Sequence, residues 1–156
     1  MNSPDKLLVF ELDGQRYALR LSSVQRVIPA VEVTRLPHAP EIVLGVIDLR
    51  GEVLPVVNVR RRFRLPEREI DLGDRFIIAR TSRRSVALVA DATAGVIEAP
   101  NGQVVTSDKI LPHLNYVEGV VKLADGIVLI HDIDEFLSLE EVRTLDGALE
   151  DQREAG

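Results

Sequence analysis

The chain carries an internal duplication. Shifted by 69 positions, LLVFELDGQRYALRLSSVQRVI (Leu7–Ile28) lies over FIIARTSRRSVALVADATAGVI (Phe76–Ile97) without a gap. Shifted by 74, VLGVIDLRGEVLPVVNV (Val43–Val59) lies over VEGVVKLADGIVLIHDI (Val117–Ile133), pairing Gly45 with Gly119, Leu49 with Leu123, Val53 with Ile127 and Val59 with Ile133. Leu-Pro-His recurs as well, at 36–38 and 111–113. Landmarks repeated in one order mark a single ancestral unit used twice, at about residues 7–70 and 73–138. Each unit is too small to bury a comfortable core alone, so the two are expected to pack on each other.

Within a unit the pattern is strand, polar turn, strand, connection, hairpin. The turns are Asp13-Gly14-Gln15-Arg16 and Thr81–Arg84 first, then Gly51 and Asp125-Gly126, where a tight reversal calls for the positive φ that glycine reaches freely. The chain holds 21 Val and 11 Ile against four Phe and two Tyr, a balance that favours strands. Pro55 interrupts a strand run and cannot donate to a ladder, which predicts an edge or a bulge; its counterpart is Leu129. PHAPEIVLG and APNGQVVTSDKILPH read as loops with single helical turns. Short strands with turns every 8–12 residues, in two similar halves, predict two small packed barrels. After Ile133 the period changes: Phe136, Leu139, Val142, Leu145 and Leu149 recur every three or four residues, and Ser138 with Glu141 makes a capping box. This predicts an amphipathic helix over 139–150, weakened by Gly147, then a disordered tail at 151–156.

No cysteine is present, which removes disulfides and thiolate chemistry and suits a reducing, cytoplasmic setting. MNSPDKLLVFELDG is neither a signal peptide nor a membrane span, and no membrane insertion is expected. The net charge of −6 is uneven: residues 1–131 sum to +1 and residues 132–156 to −7. A body near neutrality argues against a nucleic-acid partner.

Candidate chemistry is sparse. His131, Asp132, Asp134 and Glu135 form the densest group of ligand-type residues, yet their repeat counterparts are Val57, Asn58, Arg60 and Arg61, and a strand end followed by an acid-capped turn explains them. No catalytic, metal or cofactor site is expected, and His38 and His113 are read as loop residues beside proline. VRRRFRLPER (Val59–Arg68) lacks the interleaved aromatics that stack bases, so it is read as a solvated or acid-partner face; it also motivates the alternative of a tandem SH3-like nucleic-acid or ribosome-associated protein. The informative disagreement between the copies is at the later hairpin. The first copy places Asp48, Arg50 and Glu52 at its turn, where the second has Lys122, Ala124 and Gly126. A guanidinium in such a place is a strong candidate for recognising a carboxylate.

GVIDLRGEVLPVVNVRRRF (Gly45–Phe63) resembles the signature stretch of the CheW family of bacterial chemotaxis coupling proteins, and the similarity runs over nearly the whole chain, through VFELDGQRYALRLSSVQRVI, VALVADATAGVI and EGVVKLADGIVLIHDIDEFLSLEE. The resemblance implies an all-β fold of two packed five-stranded SH3-like barrel lobes with a C-terminal helix. It implies a non-enzymatic scaffold joining the cytoplasmic tips of methyl-accepting chemoreceptors to the regulatory domain of a chemotaxis histidine kinase, recruited to receptor arrays. With 156 residues the chain is expected to stand alone, without a receiver domain or kinase modules. Carried over by position, Val24, Gly45, Leu49, Arg50 and Gly51 on the first lobe and Val96 on the second match positions the family uses for partner contact. The arginine then looks like an addition to one duplicate that lets the lobes face different partners. The chain departs from the family at Ala18-Leu19-Arg20 (usually Gly-Ile-Asp), Arg26 (usually Glu), Asp48 (usually Asn) and Arg64 (usually Gly). Arg26 and Asp48 therefore join the expected partner-binding set, and Arg26 favours a partner with acidic residues.

Overall fold

A computed structural model describes residues 5–99, 104–106, 117–123, 126–133 and 139–155. Eleven strands form two sheets among these residues. In chain order they are β1 (Asp5–Leu12), β2 (Gln15–Arg20), β3 (Val24–Pro29), β4 (Val43–Leu49), β5 (Glu52–Val57), β6 (Arg75–Arg80), β7 (Ser85–Ala90), β8 (Ala92–Ala99), β9 (Val104–Thr106), β10 (Val117–Leu123) and β11 (Gly126–His131), with helices α1 (Val59–Arg62) and α2 (Leu139–Ala155). One sheet has the order β8-β1-β2-β11-β10-β9 and the other β3-β6-β7-β5-β4.

The duplication survives in the finest detail of register. In both copies the later hairpin closes through a two-residue turn, Leu49↔Glu52 and Leu123↔Gly126, and in both a register shift falls two residues before or at the glycine, Val43/Gly45 and Val117/Gly119. The sheets nevertheless do not divide the chain at residues 70–73. The β1–β2 hairpin of the first copy pairs with β8 and β11 of the second, and the β6–β7 hairpin of the second pairs with β3 and β5 of the first. Each sheet is thus built from both copies. The exchange ties the halves together through ladders as well as side chains.

Alternation along the hairpin strands explains the packing. Leu7 and Val9 turn into one cluster with Ala18, Val121, Val128 and Ile130, inside the six-stranded sheet. Their repeat partners Phe76 and Ile78 turn into a second cluster with Ile47, Leu54, Val56 and Ala87, inside the five-stranded sheet. The opposite faces, Leu8, Phe10 and Leu12 on β1 and Ile77 and Ala79 on β6, meet in a third cluster between the sheets. Strands buried on both faces read as unbroken apolar runs, which is why LLVF and FIIA show no alternation in the sequence.

The five-stranded sheet rolls up. Ile28 on edge strand β3 and Leu44 and Leu49 on edge strand β4 pack on the same inner cluster, and the chain leaving β3 crosses β4, where Thr34 and Val46 exchange two backbone hydrogen bonds of 2.9 and 2.7 Å. Gly45 permits this crossing: a Cβ there would lie 2.2 Å from the Thr34 carbonyl oxygen. Pro55 is not on an edge strand, since β5 lies between β7 and β4. The proline acts on the ladder instead. Its counterpart Leu129 pairs with Tyr17, whereas β5 begins to pair with β7 only at Val56↔Ala87.

Helix α2 packs Leu145 and Ala148 into the inter-sheet cluster and continues to Ala155, past the expected end at 150. Gly147 faces solvent, where it costs only propensity, and Glu150, Gln152, Arg153, Glu154 and Ala155 all favour helix, so nothing stops the helix where a frayed tail was expected. No helix among the described residues is long and apolar enough to cross a membrane. The expected loop through His113, the Asp125 end of the last turn, Phe136 and the Ser138 cap lie outside the described residues.

Candidate partner-binding surface

The β4–β5 turn is built from Asp48 upward. Its Oδ1 accepts a 2.9 Å hydrogen bond from the Gly51 amide, closing a loop whose central residues, Arg50 (φ 52°) and Gly51 (φ 86°), are both left-handed. That is the backbone of a type I′ hairpin, which places Asn or Gly at the first central position for steric reasons. Here the position is held by an exposed arginine. The β1–β2 turn has the same geometry with Asp13 and Gly14, residues suited to it.

Seven of the eight expected contact residues belong to the five-stranded sheet or its β4–β5 turn: Val24, Arg26, Gly45, Asp48, Leu49, Arg50 and Gly51. Asp48, Arg50 and Gly51 are exposed, Leu49 and Val24 are half-buried, and Arg26 stands exposed on edge strand β3 beyond a register shift. Gly45 is buried beneath Thr34 and offers no side chain to a partner, so its contribution is the crossing it allows. Val96 is set apart, exposed on β8 at the edge of the other sheet. Val27, Val53 and Ile127 were not singled out from sequence. The repeat pairs Val27 with Val96 and Val53 with Ile127, and all four are at least 37% exposed. An apolar residue kept outward at matched positions of two copies is the signal that would have found them.

The basic run after β5 does not form an open strip. Asn58 caps the short helix α1, its Oδ1 accepting from the Arg61 amide. Arg60 is buried and donates to both oxygens of Asp91 (2.9 and 2.7 Å) and to the Pro66 carbonyl, with Asp13 at 2.5 Å. Arg68 bridges Asp74 and Asp91, each at 2.7 Å. Burial pushes the Asp91 carboxyl up, but hydrogen bonds from Arg60 and the Asp13 amide, with the charges of Arg60 and Arg68, outweigh it and hold the group below the usual range. Arg61 pairs with Glu41 and Glu67, and Arg62 with Glu141 of α2. The run therefore fastens the β1–β2 turn, the β7–β8 junction and α2 together, and four of its five arginines, Arg60, Arg61, Arg62 and Arg68, already face carboxylates of the same chain.

His131 sits in an aromatic nest. Its ring stacks on Phe63 at 4.1 Å, with Tyr17 at 4.9 Å and Phe10 at 5.5 Å. Burial lowers its pKa to about 3, so it is neutral at pH 7 and serves as packing. Among the described residues no group of His and acidic side chains is arranged to hold a metal; Asp134 and Glu135 lie outside them.

A profile of the CheW-like domain matches residues 6–141. The chain belongs to the CheW-like family. It is 30% identical over 138 residues to the chemotaxis protein CheW of Bacillus subtilis, covering 87% of this chain and 88% of that one. It is 26% identical over 146 residues to CheW of Treponema pallidum, covering 90% and 86%. The crystal structure of the scaffolding protein TtCheW from Thermoanaerobacter tengcongensis superposes with a TM-score of 0.81 at 27% identity, covering 88% of this chain and 95% of that one. These relatives are named for chemotaxis and for scaffolding, and none for a reaction.

Proposed function

We propose that this CheW-like chain is a coupling scaffold that joins the cytoplasmic tips of chemoreceptors to the regulatory domain of a chemotaxis histidine kinase, making and breaking no covalent bonds itself. The observation that carries the reading is Arg50. An arginine held at φ 52° on an exposed turn costs the fold about 1–2 kcal/mol relative to glycine-like backbone freedom. A long charged side chain kept exposed where glycine or asparagine would fit without strain, at the tip of a hairpin, is what points to contact here. The half-buried Leu49 beside it supplies an apolar anchor, and Val24 and Arg26 extend the surface onto β3.

Because the two sheets present matched apolar positions but only one carries the arginine, the five-stranded sheet takes a carboxylate-bearing partner and the Val96 edge takes another. Binding of the purified chain to the kinase regulatory domain and to receptor tips tests this. Arg50→Ala should weaken one of the two by about 1–3 kcal/mol with the fold intact. If neither partner binds, or if both bind Arg50→Ala as tightly as the parent chain, the proposal fails.

A further inference from the structure

The two sheets differ where their parallel ladders start. In the six-stranded sheet the ladder includes Leu129↔Tyr17; in the five-stranded sheet the equivalent Pro55 has no pair on β7, and the strands part on its N-terminal side. The gap is a cleft of about 510 Å³ lined on one side by Gly51–Pro55 and on the other by Arg80 and Arg83–Ser85, with Leu149 of α2 at its end. Its apolar lining includes Val53, which is 52% exposed, and the half-buried Leu149. The β6–β7 turn that carries the arginines is held in shape by Thr81, whose Oγ1 accepts from the Arg83 and Arg84 amides (3.1 and 3.0 Å) and donates to the Arg84 carbonyl.

We propose that this cleft docks an extended acidic segment of a partner protein, an apolar side chain on Val53 and Leu149 flanked by carboxylates on the arginines. The charge pattern argues for it. Of the lining residues three are arginines and one, Glu52, is acidic, in a chain whose net charge is −6. The site already accepts a carboxylate: Asp146 of α2 pairs with Arg84 and lies 3.9 Å from Arg83. Arg80 is exposed and has no carboxylate partner among the described residues, which leaves a guanidinium for an incoming acid. The stretch of β5 before Val56, unpaired on its β7 side, offers backbone groups to an extended chain, and a segment with an apolar centre flanked by acids meets both. The wall from α2 lies past residue 141, where the CheW-like match ends, so the cleft is built partly from sequence outside the family domain.

The probe is a fluorescein-labelled peptide, Glu-Asp-Val-Leu-Val-Asp-Glu, titrated against the full chain at low salt and followed by anisotropy. Saturable binding below about 1 mM is expected, at least about fivefold tighter than for the same peptide with Gln and Asn in place of its acids. Arg80→Gln with Arg83→Gln, and separately Val53→Ser, should each weaken it by about fivefold or more, whereas Arg35→Gln, an exposed arginine away from the cleft, should not. Asp146→Asn removes the internal carboxylate and should tighten binding. No binding at about 1 mM, equal affinity for the neutral peptide, or equal loss on Arg35→Gln overturns the proposal. Kinase-domain binding is measured on the same variants, so failure of this site is distinguishable from failure of the coupling role.

Discussion

Substitution of Arg50 separates what the β4–β5 turn costs the fold from what it offers a partner. The residue sits at φ 52° and its neighbour Gly51 at φ 86°, so an L side chain with a Cβ occupies a left-handed position at a penalty of about 1–2 kcal/mol. Asparagine tolerates that region far better, and Arg50→Asn should recover about 0.5–1 kcal/mol of it, because Asp48 still closes the turn through Gly51. For a chain of this length that is a rise in melting temperature of about 1–4 °C. Arg50→Gly relieves the strain but gives the unfolded chain more freedom, which offsets about 0.5–1 kcal/mol, so it should be about 0.5–1 kcal/mol more stable than the parent. Arg50→Ala keeps the strain and loses only an exposed side chain, and should change stability by less than about 0.5 kcal/mol. Urea denaturation ranks the three, and titration calorimetry against kinase domain and receptor tip reads binding. All three should lose the same partner. If Arg50→Asn is no more stable than Arg50→Ala, strain is not what the turn stores; if binding survives in all three, the arginine is not a contact.

Arg26 stands exposed on β3, and Arg26→Glu should alter receptor affinity more than kinase affinity; equal effects on both would refute that assignment. His131 accepts a proton near pH 6.5 when unfolded but only near pH 3 when folded, so its contribution is fully present above about 6.5 and falls by about 1.4 kcal/mol per unit as pH drops towards 3. Between pH 7 and 5 the parent should therefore lose about 2 kcal/mol more stability than His131→Phe, whatever constant offset the larger ring introduces; parallel curves would contradict the buried neutral ring. Asp91→Asn removes the charge that Arg60 and Arg68 share and should destabilise the chain by about 2–3 kcal/mol in urea, with an acid-labile share in the parent because the folded carboxylate titrates below its unfolded value. Arg64 ends α1 at φ 57°, with Arg64 and Leu65 amides returning to the Arg61 and Arg60 carbonyls, the position where glycine ordinarily closes a helix. Arg64→Gly should gain about 0.5–1 kcal/mol in the same assay.

The duplication, the two-residue turns, the later hairpins and α2 were legible because each rests on local chemistry: glycine at positive φ, a change of apolar period, a repeated order of landmarks. Strand exchange was not. Similarity of β3 to β8 says that they are alike and leaves open which hairpin each joins, since that depends on how the connections cross in space. The basic run Val59–Arg68 reads from sequence as a solvated or acid-partner face, and that its acids belong to the same chain is hidden because Asp13 and Asp91 are remote in sequence; only the meeting of the β1–β2 turn with the β7–β8 junction brings them to Arg60. Gly45 was taken from the family pattern as a contact, while its steric role depends on Thr34 crossing above it. Asp48 is both an exposed polar residue and the acceptor that shapes the turn, so removing it would perturb Arg50 as well. Arg64 was flagged as a departure from glycine, and its positive φ supplies the reason that glycine fits there.

The most direct test of the coupling account is a three-component sedimentation experiment with the chain, the kinase regulatory domain and a receptor-tip fragment. The account predicts one species containing all three, from which Arg50→Ala releases a single partner while the other stays bound. A chain that sediments alone beside both fragments, or one that holds each only in the absence of the other, contradicts it.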